Sequence, residues 1–373
     1  MPTTPIDISL VIPALNEAPN LPALAERISV ALGAMSYEIL IIDDKSRDNT
    51  PDVCAQLSQK YPLRLIVREN PTNGLSGAVL HGIAQSRGRR IVVMDADLQH
   101  PPEKIPELLA ALDSGADFAL GSRYIPGGST GQQWGVFRKI NSWVATVLAR
   151  PFAGRVNDPM SGFFSLDRAT FDRAERLTPL GYKIALELIC KCRVKQVREV
   201  PIHFAERTAG ESKLSLKQQF RYLEHLSRLY DFTYPRLSPI TKFLIVTSIA
   251  WLFGLCLFLA IHHLGLAGSL ATTLAYGGSI FATAIFHARY VRTQHEFLFR
   301  QYPWLDFIVS SLAEWIACFA VALYVDFRVQ SPTRTELFFL PFLAALFVRY
   351  ILRKEFLLDI RGLRRDLRKD ELL

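Results

Sequence analysis

Several signatures of common protein classes are missing from this chain of 373 residues. It has no GxGxxG segment after its first apolar run and no GxxxxGK[ST] segment, which argues against a dinucleotide-binding fold and against a P-loop. Its five cysteines lack metal-ligand spacing, so we expect Cys190 and Cys192 to be reduced or part of the core. The first ten residues, MPTTPIDISL, lack the charged and apolar regions of a signal peptide. We therefore expect the first half of the chain to stay in the cytosol.

Charge and hydropathy are unevenly distributed. The net charge is +8, but the basic residues cluster near apolar runs and at the C-terminus, which favours anionic lipids or phosphate substrates over nucleic acid. Up to about residue 235 the composition is mixed, whereas long apolar runs dominate from residue 240 onward. The sequence thus predicts a cytosolic domain over residues 1–235 and a transmembrane domain over residues 236–373.

The most informative stretch is RIVVMDADLQHP, residues 90–101. Its apolar run predicts a strand buried on both faces, and Asp95, Asp97 and Gln99 follow directly. Carboxylates this close repel each other unless a cation lies between them, and their oxygens suit Mg²⁺ or Mn²⁺. The alternative is a solvated turn in which an aspartate caps the helix that begins near Pro101. We expect His100 to pack in this loop or to make an outer-shell contact rather than to bind the metal directly.

Strands and helices alternate through the first half. Strands are predicted over residues 6–12, 37–42, 63–68, 90–94, 117–120 and 199–204, and helices over 18–32, 48–60, 74–86, 103–113, 137–152 and 216–230. This alternation predicts an α/β fold with a mostly parallel sheet. Right-handed crossovers would then gather Glu17, Asp43 and Asp95 at one sheet edge.

Two features of these helices bear on packing. Gly74, Gly77 and Gly82 are interpreted as allowing close packing of a helix on the sheet rather than phosphate contact. The helix over residues 137–152 belongs either to the core or to a membrane surface, and the sequence leaves both open.

Four membrane spans are predicted, over residues 240–261, 268–287, 307–325 and 337–352. Residues 262–267 contain no Lys or Arg, while residues 288–302 and the tail are basic, so both ends of the chain are expected inside. Glu314 is expected to pair between helices or to be protonated. Arg349 is expected to snorkel towards the interface.

Seven segments in chain order carry a resemblance to a known family: PALNE, DDKSRDNT, MDADLQHPPE, GSRY, RKINS, DPMSGFF and ERTAGESKLS. They resemble family 2 glycosyltransferases, and more narrowly the dolichyl- and polyprenyl-phosphate mannose synthases, over roughly residues 6–230. The membrane half is similar, in helix number and placement, to the GtrA-type four-helix domain. The resemblance implies a GT-A fold (Rossmann-like), an all-α four-helix transmembrane domain, and inverting transfer of mannose from GDP-mannose to dolichyl or polyprenyl phosphate with Mg²⁺ or Mn²⁺.

The resemblance also assigns roles to residues. The catalytic residues would be Asp95, Asp97, Arg123 and Arg138, with the metal on Asp97 and Gln99 and the acceptor phosphate on Arg123, Arg138 and Ser142. Donor binding would fall to Pro13, Leu15, Glu17, Asp43, Asp44, Asp95, Ala96, Asp97, Arg207 and Lys213. Leu15 departs from the family pattern, because relatives often carry an aromatic residue there.

Other functions remain open from the sequence. The same reaction with UDP-glucose is the nearest alternative, and a lipid-sugar carrier or an inactive scaffold is the alternative of another class. A processive polysaccharide synthase is disfavoured because no QxxRW segment occurs. The expected partners are the sugar nucleotide, the lipid phosphate and membrane lipids, with no nucleic acid, and an oligomer is compatible with the sequence. The expected location is the cell membrane in a prokaryote or the endoplasmic reticulum in a eukaryote.

Overall fold

The computed structural model describes residues 5–130, 136–178, 180–181, 183–205, 216–286, 303–329 and 333–358. The chain divides into two compact units, Met1–Leu229 and Tyr230–Leu373. The limits of the predicted domains, at residue 235, stay a prediction.

The first unit alternates strands and helices through most of its length. Its strands are β1 (Ile8–Ala14), β2 (Tyr37–Asp43), β3 (Leu63–Val67), β4 (Arg90–Val93), β5 (Phe118–Ser122), β6 (Ser129–Thr130), β7 (Phe164–Asp167), β8 (Val197–Pro201) and β9 (His203–Phe204). Its helices are α1 (Leu21–Leu32), α2 (Thr50–Leu57), α3 (Gly74–Gln85), α4 (Ile105–Asp113), α5 (Val136–Ala153), α6 (Arg168–Phe171), α7 (Ile184–Lys191) and α8 (Leu216–Thr233), the last of which continues into the second unit.

The main sheet has the order β3-β2-β1-β4-β7-β5-β8. Strand β7 runs antiparallel to both of its neighbours, β4 and β5, and the other pairs are parallel. The predicted α/β class with a mostly parallel sheet is therefore confirmed. The antiparallel insertion of β7 was not predicted, because local sequence does not specify which distant strand a segment will join.

Apolar side chains cover both faces of the sheet. Alternate residues of β1 point to opposite faces, so Leu10 packs with α1 and α4, while Val11 packs with α3. In β4, Ile91, Val92 and Val93 are almost completely buried, as the apolar run predicted. The charged loops of this unit follow the ends of these covered strands, where polar groups reach solvent.

Two local expectations changed in the structure. The strand predicted over residues 199–204 is broken: β8 ends at Pro201, and β9 then pairs with β6 in a separate two-stranded sheet. A Cβ on Gly82 would lie 2.4 Å from Cγ1 of Val11, so this glycine does allow helix–sheet contact. The corresponding atom on Gly77 would instead lie 2.3 Å from the Thr72 carbonyl, so that glycine accommodates a loop.

The second unit contains four described helices: α9 (Ser238–His263), α10 (Gly268–Phe286), α11 (Pro303–Arg328) and α12 (Arg334–Leu358). Segments of α9 and α11, over residues 240–263 and 308–328, are long and apolar enough to cross a bilayer. The spans proposed on α10 and α12, and the orientation, stay predictions.

A buried ion pair joins two helices of this unit. Nη2 of Arg349 on α12 lies 2.6 Å from Oε2 of Glu314 on α11, and the Tyr276 hydroxyl of α10 donates to the same oxygen at 3.2 Å. The expected interhelical pairing of Glu314 is confirmed. The expectation that Arg349 snorkels was wrong, because a carboxylate on the neighbouring helix provides a buried partner.

Candidate active site

The loops after β1, β2 and β4 meet at one edge of the main sheet. Ala14 at the end of β1 lies opposite Asp43 at the end of β2, and Val11 lies opposite Val93 of β4. The predicted grouping of Glu17, Asp43 and Asp95 at one sheet edge agrees with this register. In open α/β sheets the carboxyl edge is where ligands bind.

Each of the first four strands is followed by a loop that contains a non-glycine residue in the left-handed region. These residues are Asn16, Lys45, Asn73 and Leu98, with φ of 59°, 62°, 63° and 61°. Asparagine tolerates this conformation, but for leucine it is unfavourable. Strain of this kind persists only where the surrounding structure imposes it, and it clusters at functional sites. Leu98 lies between Asp97 and Gln99, the two residues predicted to bind metal.

The donor residues predicted near β1 and β2 are held by hydrogen bonds. Asp43 is buried and accepts the Ser46 N–H at 3.1 Å. Asp44 forms an ion pair with Arg68 at 2.9 Å, yet burial outweighs the arginine and raises the pKa of the Asp44 carboxyl. Glu17 accepts a hydrogen bond from Asn20 at 2.7 Å. These contacts give the edge a fixed polar surface.

The proline and leucine predicted at the donor pocket lie at the carboxyl end of β1 and directly after it. Pro13 is within β1, and Leu15 follows its last residue with 44% of its surface exposed. The Leu15 side chain is therefore accessible at this edge.

The acidic loop is fixed from both sides. Within it, Oδ1 of Asp97 accepts the Gln99 N–H at 3.2 Å. On the far side, the Gln99 side-chain amide donates to the Ala205 carbonyl at 2.9 Å, and the Ala205 N–H donates to the Gln99 carbonyl at 3.1 Å. The acidic loop is therefore joined to the chain directly before the ERTAGESKLS segment, although Arg207 and Lys213 themselves lie outside the described residues.

His100 packs beneath the loop, as the sequence predicted. The Asp95 N–H donates to Nδ1 of His100 at 3.1 Å, and the ring centroid lies 5.4 Å from that of Phe163 and 5.3 Å from that of Phe204. Burial lowers the pKa of His100 to about 4, so the imidazole is neutral near pH 7. A neutral ring whose Nδ1 accepts a hydrogen bond supports the backbone of Asp95.

Asp158 is a site residue that the sequence reasoning missed. It is fully buried, and its two oxygens accept Nε and Nη2 of Arg123 at 2.7 and 2.8 Å. DPMSGFF was used as one of the seven family segments, with no role given to its aspartate, although an aspartate within a largely apolar segment could have indicated a buried pair. Arg123, predicted to hold the acceptor phosphate, therefore reaches the site already paired.

Gly162 and Lys183 complete this side of the site, and neither was predicted. A Cβ on Gly162 would lie 3.2 Å from Oδ2 of Asp95. Nζ of Lys183 donates to the Met160 carbonyl at 3.3 Å. Burial, reinforced by the nearby Arg123, lowers the pKa of the Lys183 ammonium to about 7. Gly162 lies just before β7 and Lys183 directly before α7, so two separate segments bring a close backbone contact and a buried lysine near Asp95.

Of the residues predicted to hold the acceptor phosphate, Arg138 and Ser142 lie on α5, which contacts α8. The Ser142 hydroxyl on α5 lies 2.7 Å from the Tyr124 hydroxyl, which links RKINS to GSRY, and the Tyr222 hydroxyl of α8 donates to the Ala145 carbonyl at 2.7 Å.

Helix α5 contributes both to the core and to the surface: Ala149 is buried, while a set of large apolar side chains is exposed. That set is Ile140, Trp143, Val144 and Leu148 on α5, with Phe220 and Leu223 on α8. The Arg138 side chain lies outside the described residues.

The residues of the acidic loop fit a hard divalent cation. Across the described part of the chain, no group of three or more His, Cys, Asp or Glu side chains could hold a metal by itself. Mg²⁺ commonly takes only one or two protein carboxylates, with phosphate oxygens of the substrate and water as its other ligands. The carboxylate of Asp97 and the amide oxygen of Gln99 are donors of that kind, and the hydrogen bond within the loop holds the two residues together.

Comparison with known proteins agrees with this geometry. Residues 9–172 match the family described as glycosyl transferase family 2. The chain is 43% identical over 242 residues to the dolichol-phosphate mannosyltransferase of Pyrococcus furiosus, covering 64% of this chain and 68% of that protein. It therefore belongs to glycosyltransferase family 2.

Two fungal relatives are similar over most of their length. The chain is 42% identical over 255 residues to the dolichol-phosphate mannosyltransferase of Mycosarcoma maydis, covering 66% of this chain and 86% of that protein. It is 40% identical over 240 residues to that of Saccharomyces cerevisiae, covering 61% and 89%. The resemblance inferred from the seven segments is confirmed.

Proposed function

We propose that this protein transfers mannose from GDP-mannose to dolichyl or another polyprenyl phosphate, giving lipid-phosphate β-mannose and GDP. The relatives named above support the reaction. The observation that carries it is the arrangement of Asp95, Asp97 and Gln99 in one fixed loop at the carboxyl edge, beside the buried Arg123–Asp158 pair. Carboxylates that can hold a cation and a guanidinium that can hold an anion therefore lie at the same edge of the sheet.

The chemistry follows from the charges of the substrates. An oxygen of the acceptor phosphate forms a bond to the anomeric carbon, while the bond from that carbon to the diphosphate breaks and GDP leaves with the electron pair. Asp97 and Gln99 would hold a divalent ion, which would supply positive charge to the diphosphate. Positive groups already in place where the negative charge develops stabilise the transition state without reorganisation.

The acceptor needs orientation more than activation. A phosphate monoester is anionic near neutral pH, so it can attack without a strong general base. Guanidinium groups match phosphate geometry, and Arg123 with Arg138 would provide them. Ser142 lies four residues after Arg138 on α5, and side chains at this spacing share a helix face.

The exposed apolar faces of α5 and α8 support catalysis at a membrane surface. A helix that is buried on one face and bears exposed Trp143 and Leu148 on another suits the boundary between lipid headgroups and acyl chains. We propose that these faces contact the bilayer, that α9 to α12 anchor the protein as a multi-pass domain, and that the catalytic unit lies in the cytosol.

A transfer assay tests the reaction. Membranes carrying the full chain are incubated with a polyprenyl phosphate, Mg²⁺ or Mn²⁺, and either labelled GDP-mannose or labelled UDP-glucose. We expect lipid-extractable label from GDP-mannose only, and chelation by EDTA should remove it. Label from UDP-glucose alone would replace the donor assignment, and no label from either donor would contradict the proposal.

An arginine variant tests the acceptor side separately. Arg138→Ala should raise the KM for the lipid acceptor by about tenfold, the effect of losing a charged hydrogen bond, with the KM for GDP-mannose changed little. Arg150→Ala, at an exposed position near the end of the same helix, is the matched control. Unchanged acceptor kinetics in Arg138→Ala would remove it from the site.

A further inference from the structure

The guanidinium of Arg123 is fixed in plane as well as in position. Nε and Nη2 donate to separate oxygens of Asp158, and the Arg123 backbone N–H also donates to Oδ2 at 3.1 Å. Three hydrogen bonds from Arg123 to one carboxylate hold its forked guanidinium group in a single orientation. Its Cζ also lies 5.2 Å from the ring centroid of Tyr124 and 5.1 Å from that of Phe204.

Asp158 is itself held from the neighbouring strand. Its backbone N–H donates to Oε1 of Glu199 at 3.1 Å, and Asn157 donates to Oε2 of the same carboxylate through its backbone at 3.0 Å and its side chain at 2.8 Å. Glu199 lies on β8 opposite Leu120 of β5, the strand that leads into Arg123. Both ends of the Arg123–Asp158 pair are therefore anchored to two adjacent parallel strands.

Burial makes this pair sensitive to the loss of either charge. Asp158 is completely buried, and the Arg123 side chain is 10% exposed. Burial opposes the charge of Arg123, but the hydrogen bonds that it donates to Asp158 raise its pKa, so the guanidinium stays charged. Phe204, which contacts the guanidinium, also packs against His100 beneath the acidic loop, so the pair lies beside the donor end of the site.

From these contacts we propose that Asp158 is a positioning residue that acts through Arg123, fixing the guanidinium plane for the acceptor phosphate, with Glu199 holding the loop that carries Asp158. This role rests on the proposed transfer to a lipid phosphate. A purely structural buried pair would stabilise the fold without affecting how the acceptor is bound. Loss of a positioning residue should raise the KM for the lipid acceptor and not the KM for the sugar donor, whereas loss of a purely structural pair should not single out the acceptor.

The test compares Asp158→Asn with Arg123→Lys and the double variant in the full-length protein. Asp158→Asn keeps the shape of the side chain but loses its charge and one acceptor oxygen. We expect its KM for polyprenyl phosphate to rise about tenfold or more, with the KM for GDP-mannose within about twofold of wild type. In the Arg123→Lys background, which has no fork, the same change should add about twofold or less, because the two residues act as one unit.

Glu199→Gln provides a second, milder variant if Asp158→Asn does not fold. It should raise the acceptor KM by about threefold without changing the donor KM, and Glu175→Gln, in an exposed ion pair elsewhere, should change neither. Equal rises in both Michaelis constants, or additive effects in the double variant, would overturn the positioning role of Asp158 but would leave the proposed function standing. If wild-type protein labels no lipid from any donor, the proposed function fails and this inference fails with it.

Discussion

Replacing Gly162 with alanine should impair catalysis more than it impairs stability. The added Cβ would lie 3.2 Å from Oδ2 of Asp95, 3.3 Å from Cε1 of His100 and 3.4 Å from Oδ1 of Asp95. Ordinary carbon contacts are about 3.5–4.0 Å, so a neighbour must move by a few tenths of an ångström. His100 is packed between two phenylalanine rings, and the Asp95 carboxylate is therefore the group that gives way.

The size of the effect follows from that displacement. A misplacement of about 1 Å at a reacting site can cost about a hundredfold in rate, so a few tenths of an ångström should cost about threefold to tenfold in kcat. Overpacking should also lower the free energy of unfolding by about 1 kcal/mol, the lower end of such costs. Mannose transfer at saturating substrates measures the first quantity, and thermal unfolding in detergent measures the second.

Gly82→Ala is the matched control. Its Cβ would lie 2.4 Å from Cγ1 of Val11 and 2.8 Å from Cγ1 of Ile42, in the middle of the helix–sheet contact. This variant should lose about 1–3 kcal/mol of stability, while kcat per folded enzyme stays within about twofold of wild type. Full activity in Gly162→Ala, or equal losses of kcat in the two variants, would refute the role given to the position of Asp95.

Three further perturbations are open to direct measurement. Asp97→Ala should reduce transfer about a hundredfold to a thousandfold with the unfolding temperature preserved, and wild-type turnover would refute its role. Burial alone would raise the pKa of Glu187, but His225 on α8 and Lys191 lower it to about 2, below its ordinary 4.5. This stabilisation is present above pH 4.5 and is lost as the pH falls towards 2. Glu187→Gln should therefore make the free energy of unfolding less dependent on pH in the acid range, and it should lower that free energy by about 3–5 kcal/mol at pH 7. An unchanged pH dependence in the acid range would contradict this role of Glu187. Arg349→Met should lower thermal stability in detergent, because it leaves Glu314 buried without its cation. Adding Glu314→Gln should restore part of the lost stability. Unchanged stability in Arg349→Met would show that the ion pair is dispensable.

The sequence by itself determined the α/β class of the first unit and the acidic character of one edge of its sheet. Apolar runs of β1, β2 and β4 predicted buried strands, and their alternation with helices predicted a mostly parallel sheet. Residues directly after such strands must lie at the carboxyl edge, so the acidic loop could be placed from local pattern alone. Residue roles such as those of Arg207 and Lys213 came from the resemblance and stay predictions.

Only the tertiary structure decided which distant groups meet. The pairing of Arg123 with Asp158, the approach of Gly162 to Asp95 and the partner of Arg349 join residues that are far apart in sequence. Their contacts depend on the antiparallel insertion of β7 and on how helices pack. Periodicity specifies which face of an element is buried, but it contains no information about which other element covers that face.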